Sequence, residues 1–390
     1  MKKYFLILLG IFLSQSVLAQ QSCEAIFSHK LEDVVQVKQV QESKNKSQLL
    51  RSNSPFYWQW VKLNASKYFP ATILSHVGNV VGDAHNKNFG VLKYLDKIVW
   101  TVLDLDDAGR APLILDFSKF VAAIKSVDKS VKARELWSAY LLGLNGQQLT
   151  SIPLSVQEAL GMSSQKYRKK EIKKAKKFTN QQGTALLNDG IESTAIQNEV
   201  LKKTVLNLFT KAFQGSSYRV VDVGAREKDR GGSKEALRFV ALVRGDDGFN
   251  TIYELKEYLG TSVENYLIQS KTNLEDAVDY YIYSRAQSDL QKDVSYQILN
   301  AEIEGVTHQF LLRPKQIYLF DEANSSKLAD DFKYLSIYNA WFMGHLHGEQ
   351  VASKQYRQEI ENDQAEVIFE GVKSLAKDYL VVLVNALNSK

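Results

Sequence analysis

Two groups of carboxylate and amide side chains lie close together in the first third of this 390-residue chain. The stretch "GDAHNKNFG" carries Asp83 and Asn88, and the stretch "LDLDDAG" carries Asp104. A carboxylate can accept or orient a hydroxyl proton, and carboxylate and amide oxygens are suitable ligands for a hard cation. The spacing therefore predicts the acidic half of a phosphoryl-transfer site, with Asp83 at the acceptor and Mg²⁺ on Asn88 and Asp104. The alternative is that Asp83 and Asn88 only cap turns.

Hydrophobic patterning predicts the elements that must position these side chains. The run "KIVWTVL" reads as a strand from Lys97 to Leu103, which places Asp104 at a strand end. Helical patterns are expected over Phe56–Leu74, from Pro112 to about Phe213, and from Lys327 to the end. Between them, five β-rich runs follow Tyr218, with a helical segment near Ser262–Gln287 after the third. The predicted fold class is mixed α+β, with a largely helical part and a β-rich part.

The two acidic motifs resemble the catalytic loop and metal-binding segment of aminoglycoside-phosphotransferase-like kinases. More closely, they resemble the bacterial family called domain of unknown function 2252, a branch of the protein-kinase-like superfamily. "LDFSKF" around Asp116 is similar to that family's W-D-L segment, and "GGSKEALRFVALVRG", "YELKEYLGTS" and "FLLRP" are similar to its later strands. The likeness touches most of the chain between Gly82 and about Gln350, and its first two motifs are the most specific.

The resemblance implies a role for each matching residue. Asp83 would be the catalytic aspartate with His85 ordering its loop, and ATP and Mg²⁺ would be the cofactors. Asp116 would anchor the loop from a helix start. The implied metal ligands are Asn88 and Asp104 for Mg²⁺, and Asp106 and Asp107 would either bind a second metal or brace the loop. The implied nucleotide-binding residues are Lys256, Gly231, Gly232 and Ser233.

Two features of the β-rich part weaken the nucleotide assignment. The family's turn reads G-x-G-S-x-G, whereas this chain has Arg230 and Glu235 in place of its first and last glycines, which disfavours ATP in the usual pose. Gly231 and Gly232 would equally suit an ordinary hairpin. Lys256 shares a strand face with Ile252 and Glu254, and a water-facing lysine at a sheet edge is the competing interpretation.

The order of the motifs differs from that of ordinary kinases, in which the β lobe precedes the catalytic loop. Here the β-rich runs follow it, so the resemblance implies a two-lobed, circularly permuted kinase-like fold. The expected divisions are a signal peptide (1–19), a helical lobe with both acidic motifs (20–215), a nucleotide-lobe-like β region (216–315) and helices completing the helical lobe (316–390). Because the ends of permuted domains are usually neighbours, the terminal helix near Leu387 should lie close to the segment that enters the site.

The N-terminal residues predict export to the periplasm or the medium. Two lysines, an apolar run from Tyr4 to Leu13 and a small-residue ending at Ala19 form the pattern of a secretory signal peptide. Cys23, the only cysteine, excludes an intramolecular disulfide, and it lacks the upstream apolar residue that lipidation expects. The closing apolar run is too short for a membrane span and is expected to pack in the core.

The charge is concentrated in one segment. The formal net charge is +5, yet Lys166–Lys177 holds eight basic residues and one acidic residue. A solvated helix face is the favoured interpretation, and contact with an anionic partner is the alternative. We find no recognised nucleic-acid-binding module, and a monomer is expected.

Three functions are compatible with these observations. The leading hypothesis is an exported Mg²⁺-dependent phosphotransferase acting on a hydroxyl of a small molecule or a protein. A kinase-like binding or scaffold protein without catalysis is the second, since exported bacterial compartments hold little ATP and the glycine turn is altered. The third is a metal-dependent phosphohydrolase that uses "DLDD" as an aspartyl nucleophile, although Ala108 departs from that signature.

Overall fold

A computed structural model describes residues 50–51, 54–94, 97–105, 107–189, 192–226, 236–263, 274–283, 296–315, 329–350, 353–361 and 364–388. The predicted signal peptide, Cys23, Asp106, Gly231, Gly232 and Ser233 lie outside these ranges. The described part is a mixed α+β structure, as the sequence predicts. None of its helices combines the length and apolarity that a membrane span requires.

The described elements follow the expected order, with one exception and with three strands beside the acidic motifs that were not predicted. The helices are α1 (Ser54–Asn64), α2 (Ala71–Ser75), α3 (Leu113–Val127), α4 (Ala133–Leu144), α5 (Leu154–Leu160), α6 (Ser164–Ala175), α7 (Glu199–Ala212), α8 (Leu274–Val278), α9 (Ala329–Gly348), α10 (Ser353–Glu361) and α11 (Ala365–Asn388). Short 3₁₀ or π segments cover Ala65–Lys67, Asn86–Asn88 and Asp279–Tyr283. The strands are β1 (Val77–Val80), β2 (Phe89–Tyr94), β3 (Lys97–Val102), β4 (Gly109–Pro112), β5 (Arg219–Ala225), β6 (Arg238–Arg244), β7 (Asn250–Glu257), β8 (Gln297–Ile303) and β9 (Val306–Pro314).

The exception is the expectation of continuous helix from the basic run to Phe213, which is wrong. Helix α6 ends at Ala175, and α7 begins only at Glu199. Asn180 turns the chain, because its side-chain oxygen accepts hydrogen bonds from the backbone amides of Thr184 and Ala185. Asparagine side chains compete with helical hydrogen bonding in this way.

In the part of the chain that the structure describes, the strands form three antiparallel sheets. Two are two-stranded, β1 with β4 and β2 with β3, and they hold the two acidic motifs. The third has five strands in the order β5-β6-β7-β9-β8. All five predicted β-rich runs are strands of this sheet. Strand β7 lies at its centre, so the interpretation of Lys256 as an edge residue is wrong.

The two faces of the five-stranded sheet differ in chemistry. The face that carries Tyr253 and Leu255 packs on α7 in an apolar cluster. The opposite face carries Ile252, Glu254 and Lys256, as the alternation predicts, and Ile252 packs with Phe178 beyond the end of α6. Charged side chains therefore occupy only part of the second face.

The main apolar core lies among the helices around the acidic motifs. Helices α4 and α9 cross closely because each places a glycine against the backbone of the other. A Cβ on Gly143 would lie 1.9 Å from the Trp341 carbonyl oxygen, and a Cβ on Gly344 would lie 2.0 Å from the Tyr140 carbonyl oxygen. Helix α11 packs in the same core through residues such as Leu375 and Leu383, as predicted for the closing apolar run.

The last helix also contacts the segment that leads into the site. The Tyr379 ring of α11 lies 4.9 Å from that of Tyr57 in α1, centroid to centroid, and the Tyr68 hydroxyl donates to Asp378 over 2.7 Å. The expected proximity between the terminal helix and the entering segment is therefore confirmed.

Candidate functional site

The loop around Asp83 is held from beneath by helix α3. Asp116, which is fully buried near the start of α3, accepts hydrogen bonds from the backbone amides of Val81 (2.9 Å) and Gly82 (3.0 Å). His347 of α9 places its Nε2 atom 3.4 Å from the same carboxylate. Asp116 thus anchors the loop, as the sequence predicts, rather than entering the site.

The Gly82 backbone is fixed on its other side as well. Its carbonyl oxygen accepts from Trp58 Nε1 and from Lys119 Nζ, each over 2.9 Å. Gly82 has a φ of +77°, and a Cβ at this position would lie 1.6 Å from the carbonyl oxygen of Asp107. Only glycine suits both the left-handed backbone and the close approach.

We therefore expect Gly82→Ala to lower the free energy of unfolding by about 3 kcal/mol or more, since backbone strain and overlap add together. Gly146→Ala is the matched control: Gly146 has a φ of +69°, but its Cβ would meet no atom within 4 Å. That substitution should cost only about 1 kcal/mol. Urea unfolding of both variants checks the difference, and equal losses would contradict the close approach at Gly82.

Asp83 lies between two nitrogen groups. Lys119 Nζ is 2.8 Å from Asp83 Oδ1, and His85 Nε2 is 3.2 Å from Oδ2. Burial by itself would raise the pKa of Asp83, but the charges and hydrogen bonds of Lys119 and His85 outweigh it and hold that pKa well below the ordinary value. The side chain keeps 16% of its surface exposed, so an ionised carboxylate is presented at the surface of the site.

Sequence reasoning missed Lys119. This lysine is fully buried in α3, and its ammonium joins the anchored loop backbone to the Asp83 carboxylate. A signal was present, since "LILDFSKFVAAI" places a lysine three residues after Asp116 in an otherwise apolar helix. A charged residue on such a helix is rarely buried without a partner.

Asn88 joins the two acidic motifs. Its Nδ2 donates to the Asp83 carbonyl oxygen (3.2 Å), and its Oδ1 accepts from the Asp104 backbone amide (2.7 Å). Its own carbonyl oxygen accepts from Leu103 N over 2.8 Å. The amide that was predicted to hold a cation therefore also fixes the position of Asp104.

Asp104 contacts two cationic side chains of the five-stranded sheet. Its Oδ1 lies 3.3 Å from Lys256 Nζ and 3.0 Å from Arg313 Nη1, while its side chain remains 42% exposed. Lys256 is buried, and burial lowers its pKa to about 8 against the opposing pull of Asp104. The structure thus brings together two predicted site residues that are 152 positions apart in the chain.

Asp107 contacts the segment that follows β7. Ser262 donates to it through both its backbone amide and its hydroxyl. Burial, and then the charge on Asp83, raise the pKa of Asp107. This carboxyl therefore braces the second acidic motif against the segment after β7.

A second buried carboxylate, Glu254, lies on the same sheet face as Lys256. It is 1% exposed and ion-paired with four cations. These are Arg226 (3.5 Å), Arg238 (3.6 Å), Arg313 (3.1 Å) and Lys315 (2.8 Å). Burial would raise the pKa of Glu254, but Lys315 and Arg313 lead the cations that hold it well below the ordinary value. Sequence reasoning missed this cluster. The signal that could have indicated it is the presence of charged residues within strands that are otherwise apolar.

The depressed pKa values of Glu254 and Asp83 predict sensitivity to acid. Carboxyls of this kind contribute stability above their unfolded pKa values, near 4, and that stability is lost as the pH falls further. We expect the midpoint temperature of unfolding to fall steeply below about pH 4.5. The Glu254→Gln variant should be less stable than wild type at pH 7, and its midpoint should change less with pH in acid. Glu370→Gln, at an exposed site on α11, is the control. Parallel profiles for wild type and Glu254→Gln would contradict the account.

Two oxygen-bearing side chains at the site could help to hold a Mg²⁺ ion that binds together with phosphate. Among the residues that the structure describes, no three of histidine, cysteine, aspartate or glutamate converge into a metal-binding group. Mg²⁺, however, is commonly held by one or two carboxylates plus substrate phosphates rather than by an all-protein cage. Asp104 supplies one partly exposed carboxylate, and the Asn88 Oδ1 atom lies 2.7 Å from the Asp104 backbone amide.

Comparison with known proteins does not assign the chain to a family. No protein-family model matches the chain, and neither the curated proteins nor the solved structures give a match. The resemblance to kinase-like proteins therefore rests on the sequence motifs quoted above.

Proposed function

We propose that this protein is a kinase-like, Mg²⁺-dependent phosphotransferase that acts on a hydroxyl acceptor and has its two lobes in circularly permuted order. The observation that carries the proposal is the contact between Lys256 of the central strand β7 and Asp104 after strand β3. It joins the acidic motifs to the cationic sheet face. A phosphoryl-transfer site requires both halves, one for the metal and acceptor and one for the phosphates.

Each half has a defined task under this proposal. Asp83 is ionised and partly exposed, so it can orient an acceptor hydroxyl and take up its proton. Lys119 and His85 keep that carboxylate charged and in place. Lys256 supplies a positive charge for phosphate oxygens beside Asp104. When bound, Mg²⁺ would neutralise phosphate charge, and Asp104 with Asn88 would hold it.

The proximity of α11 to α1 supports the permuted order. Joining the chain ends would place the five-stranded sheet before the acidic motifs, which is the kinase order. The proposed donor is a nucleoside triphosphate, and the proposed acceptor is a small molecule or a protein. Export through the N-terminal segment remains part of the proposal.

A thermal-shift titration tests the proposal. We expect Mg²⁺ with ATP to stabilise the wild-type protein by an amount that grows with ligand concentration, because only the folded state binds. Asp104→Ala should remove the Mg²⁺-dependent part of that shift. Asp128→Ala is a matched control, since the Asp128 side chain lies just beyond the end of α3 and accepts only from Ser130 N among the described contacts.

The alternatives give different results in the same titration. No stabilisation by any nucleotide, together with unchanged behaviour of Asp104→Ala, would favour the non-catalytic binding or scaffold protein. A phosphohydrolase with Asp104 as nucleophile would form an aspartyl phosphate that is cleaved by hydroxylamine and by alkali, which the phosphotransferase would not form.

A further inference from the structure

Two cross-strand pairs dominate the charged face of the five-stranded sheet. Glu254 of β7 lies opposite Arg313 of β9, and Lys256 of β7 lies opposite Arg238 of β6. None of the four residues is more than 5% exposed. Directly opposed side chains on one face of an antiparallel pair are neighbours, so these charges form one compact group.

The guanidinium of Arg313 is held along one edge and directed at the site along the other. Nε and Nη2 donate to Glu254 Oε2 over 3.3 and 3.1 Å, whereas Nη1 donates to Asp104 Oδ1 over 3.0 Å. Lys256 Nζ reaches the same Asp104 oxygen over 3.3 Å. A guanidinium is a planar fork, so fixing one edge also fixes the direction of the other.

Stability alone does not explain why a carboxylate occupies the position of Glu254. Removing one partner of a buried ion pair is costly, but apolar side chains of similar volume in place of the whole pair are often equally stable. Preorganised charges, in contrast, stabilise a charged ligand without reorganisation when it binds. Glu254 holds Arg313 and Lys315 through short contacts on the face that adjoins Asp104.

We propose that Arg313 binds the phosphate chain of the donor beside Lys256, and that Glu254 positions it. The ligand class is a polyphosphate chain, since guanidinium groups match phosphate oxygens in geometry and charge. This inference rests on the proposed function, and it assigns the phosphate contacts to the sheet face. It also gives a physical reason why the turn with Arg230 and Glu235 can lack two of the family's glycines.

The test measures binding of sodium tripolyphosphate with Mg²⁺ by isothermal titration calorimetry. We expect wild type to bind it more tightly than citrate, an anion of comparable charge without phosphate. Arg313→Gln should lose about 10- to 100-fold in affinity, the usual range for a charge-assisted hydrogen bond. Arg313→Lys should recover part of that loss. Arg168→Gln is the control, because Arg168 contacts the same strand at Thr251, away from Asp104.

Glu254→Gln separates positioning from net charge. If net charge alone decided affinity, removing an anion among these cations would tighten tripolyphosphate binding. Positioning predicts the opposite, a loss of at least about fivefold, with tripolyphosphate affected more than citrate. Thermal melts without ligand check that each variant is folded. If the two glutamine variants do not fold, the tripolyphosphate affinity of Arg313→Lys is compared with that of wild type instead.

The outcomes separate this inference from the proposed function. Unchanged affinity in Arg313→Gln, tighter binding in Glu254→Gln, or no binding by wild type would overturn the inference. Phosphate transfer from ATP at the wild-type rate by Arg313→Gln would refute the inference and leave the proposed function standing. Tripolyphosphate binding that depends on Arg313, without transfer from ATP, would support the inference and refute the proposed function.

Discussion

Replacing Asp83 with asparagine is expected to slow phosphate release from Mg²⁺·ATP about 10²- to 10⁴-fold, the range for loss of a general base. Nucleotide affinity should change little, because Asp83 faces the acceptor side of the proposed site. Asparagine retains an oxygen for Lys119, which lies 2.8 Å from the carboxylate. It cannot take up a proton at neutral pH, however, so positioning survives while proton transfer is lost.

Single-turnover release of phosphate, with water as the acceptor and the protein in excess over ATP, provides the measurement. Asp128→Asn is the control, since this partly exposed aspartate follows the end of α3 and accepts from Ser130 N. Wild-type rates for Asp83→Asn would contradict the role of Asp83. Parallel losses of rate and of nucleotide affinity would assign Asp83 to binding instead.

Asp116→Ala is expected to lower the free energy of unfolding by about 3–5 kcal/mol, a large share of typical domain stability. The carboxylate is fully buried and receives two backbone amides, Val81 N and Gly82 N. Alanine would leave both donors without their acceptor, and each buried unsatisfied group costs about 1–3 kcal/mol. Asn at this position keeps one acceptor, so Asp116→Asn should lose less.

The matched control for this change is Asp378→Ala. Asp378 on α11 also accepts a hydrogen bond, from the Tyr68 hydroxyl, but the pair is exposed. Its loss should cost less than about 1 kcal/mol. Urea unfolding measures both variants, and a loss at Asp116 no larger than that at Asp378 would contradict the anchoring role.

Local patterns predicted strand β3 and the five strands of the large sheet, because apolar and β-branched runs between turn signals indicate strands. They did not predict strands β1, β2 and β4 around the acidic motifs. The alternation in "TIYELKEYL" placed Lys256 on the face opposite the apolar cluster, as observed. The position of β7 within the sheet was not predictable in this way. Strand order depends on pairing between distant segments, and Lys256 was therefore also read as an edge residue.

The residues that sequence reasoning missed are those whose roles depend on tertiary contacts. Lys119 is one lysine among many in the sequence, and only the packing of α3 beneath the loop brings it to Asp83. Glu254 and Arg313 are 59 residues apart, and they meet because β7 and β9 are neighbours although β8 lies between them in the chain. Separations of this length leave no periodic signal.

A double-mutant cycle between Lys256 and Asp104 tests most directly whether the two halves form one site. Affinity for a non-hydrolysable ATP analogue with Mg²⁺ would be measured for wild type, Lys256→Met, Asp104→Asn and the double variant. We predict a coupling free energy of about 1–3 kcal/mol, since the two side chains act on the same metal and phosphate group. Effects that add within about 0.3 kcal/mol, or a wild-type protein that does not bind the analogue, would contradict a shared phosphoryl-transfer site.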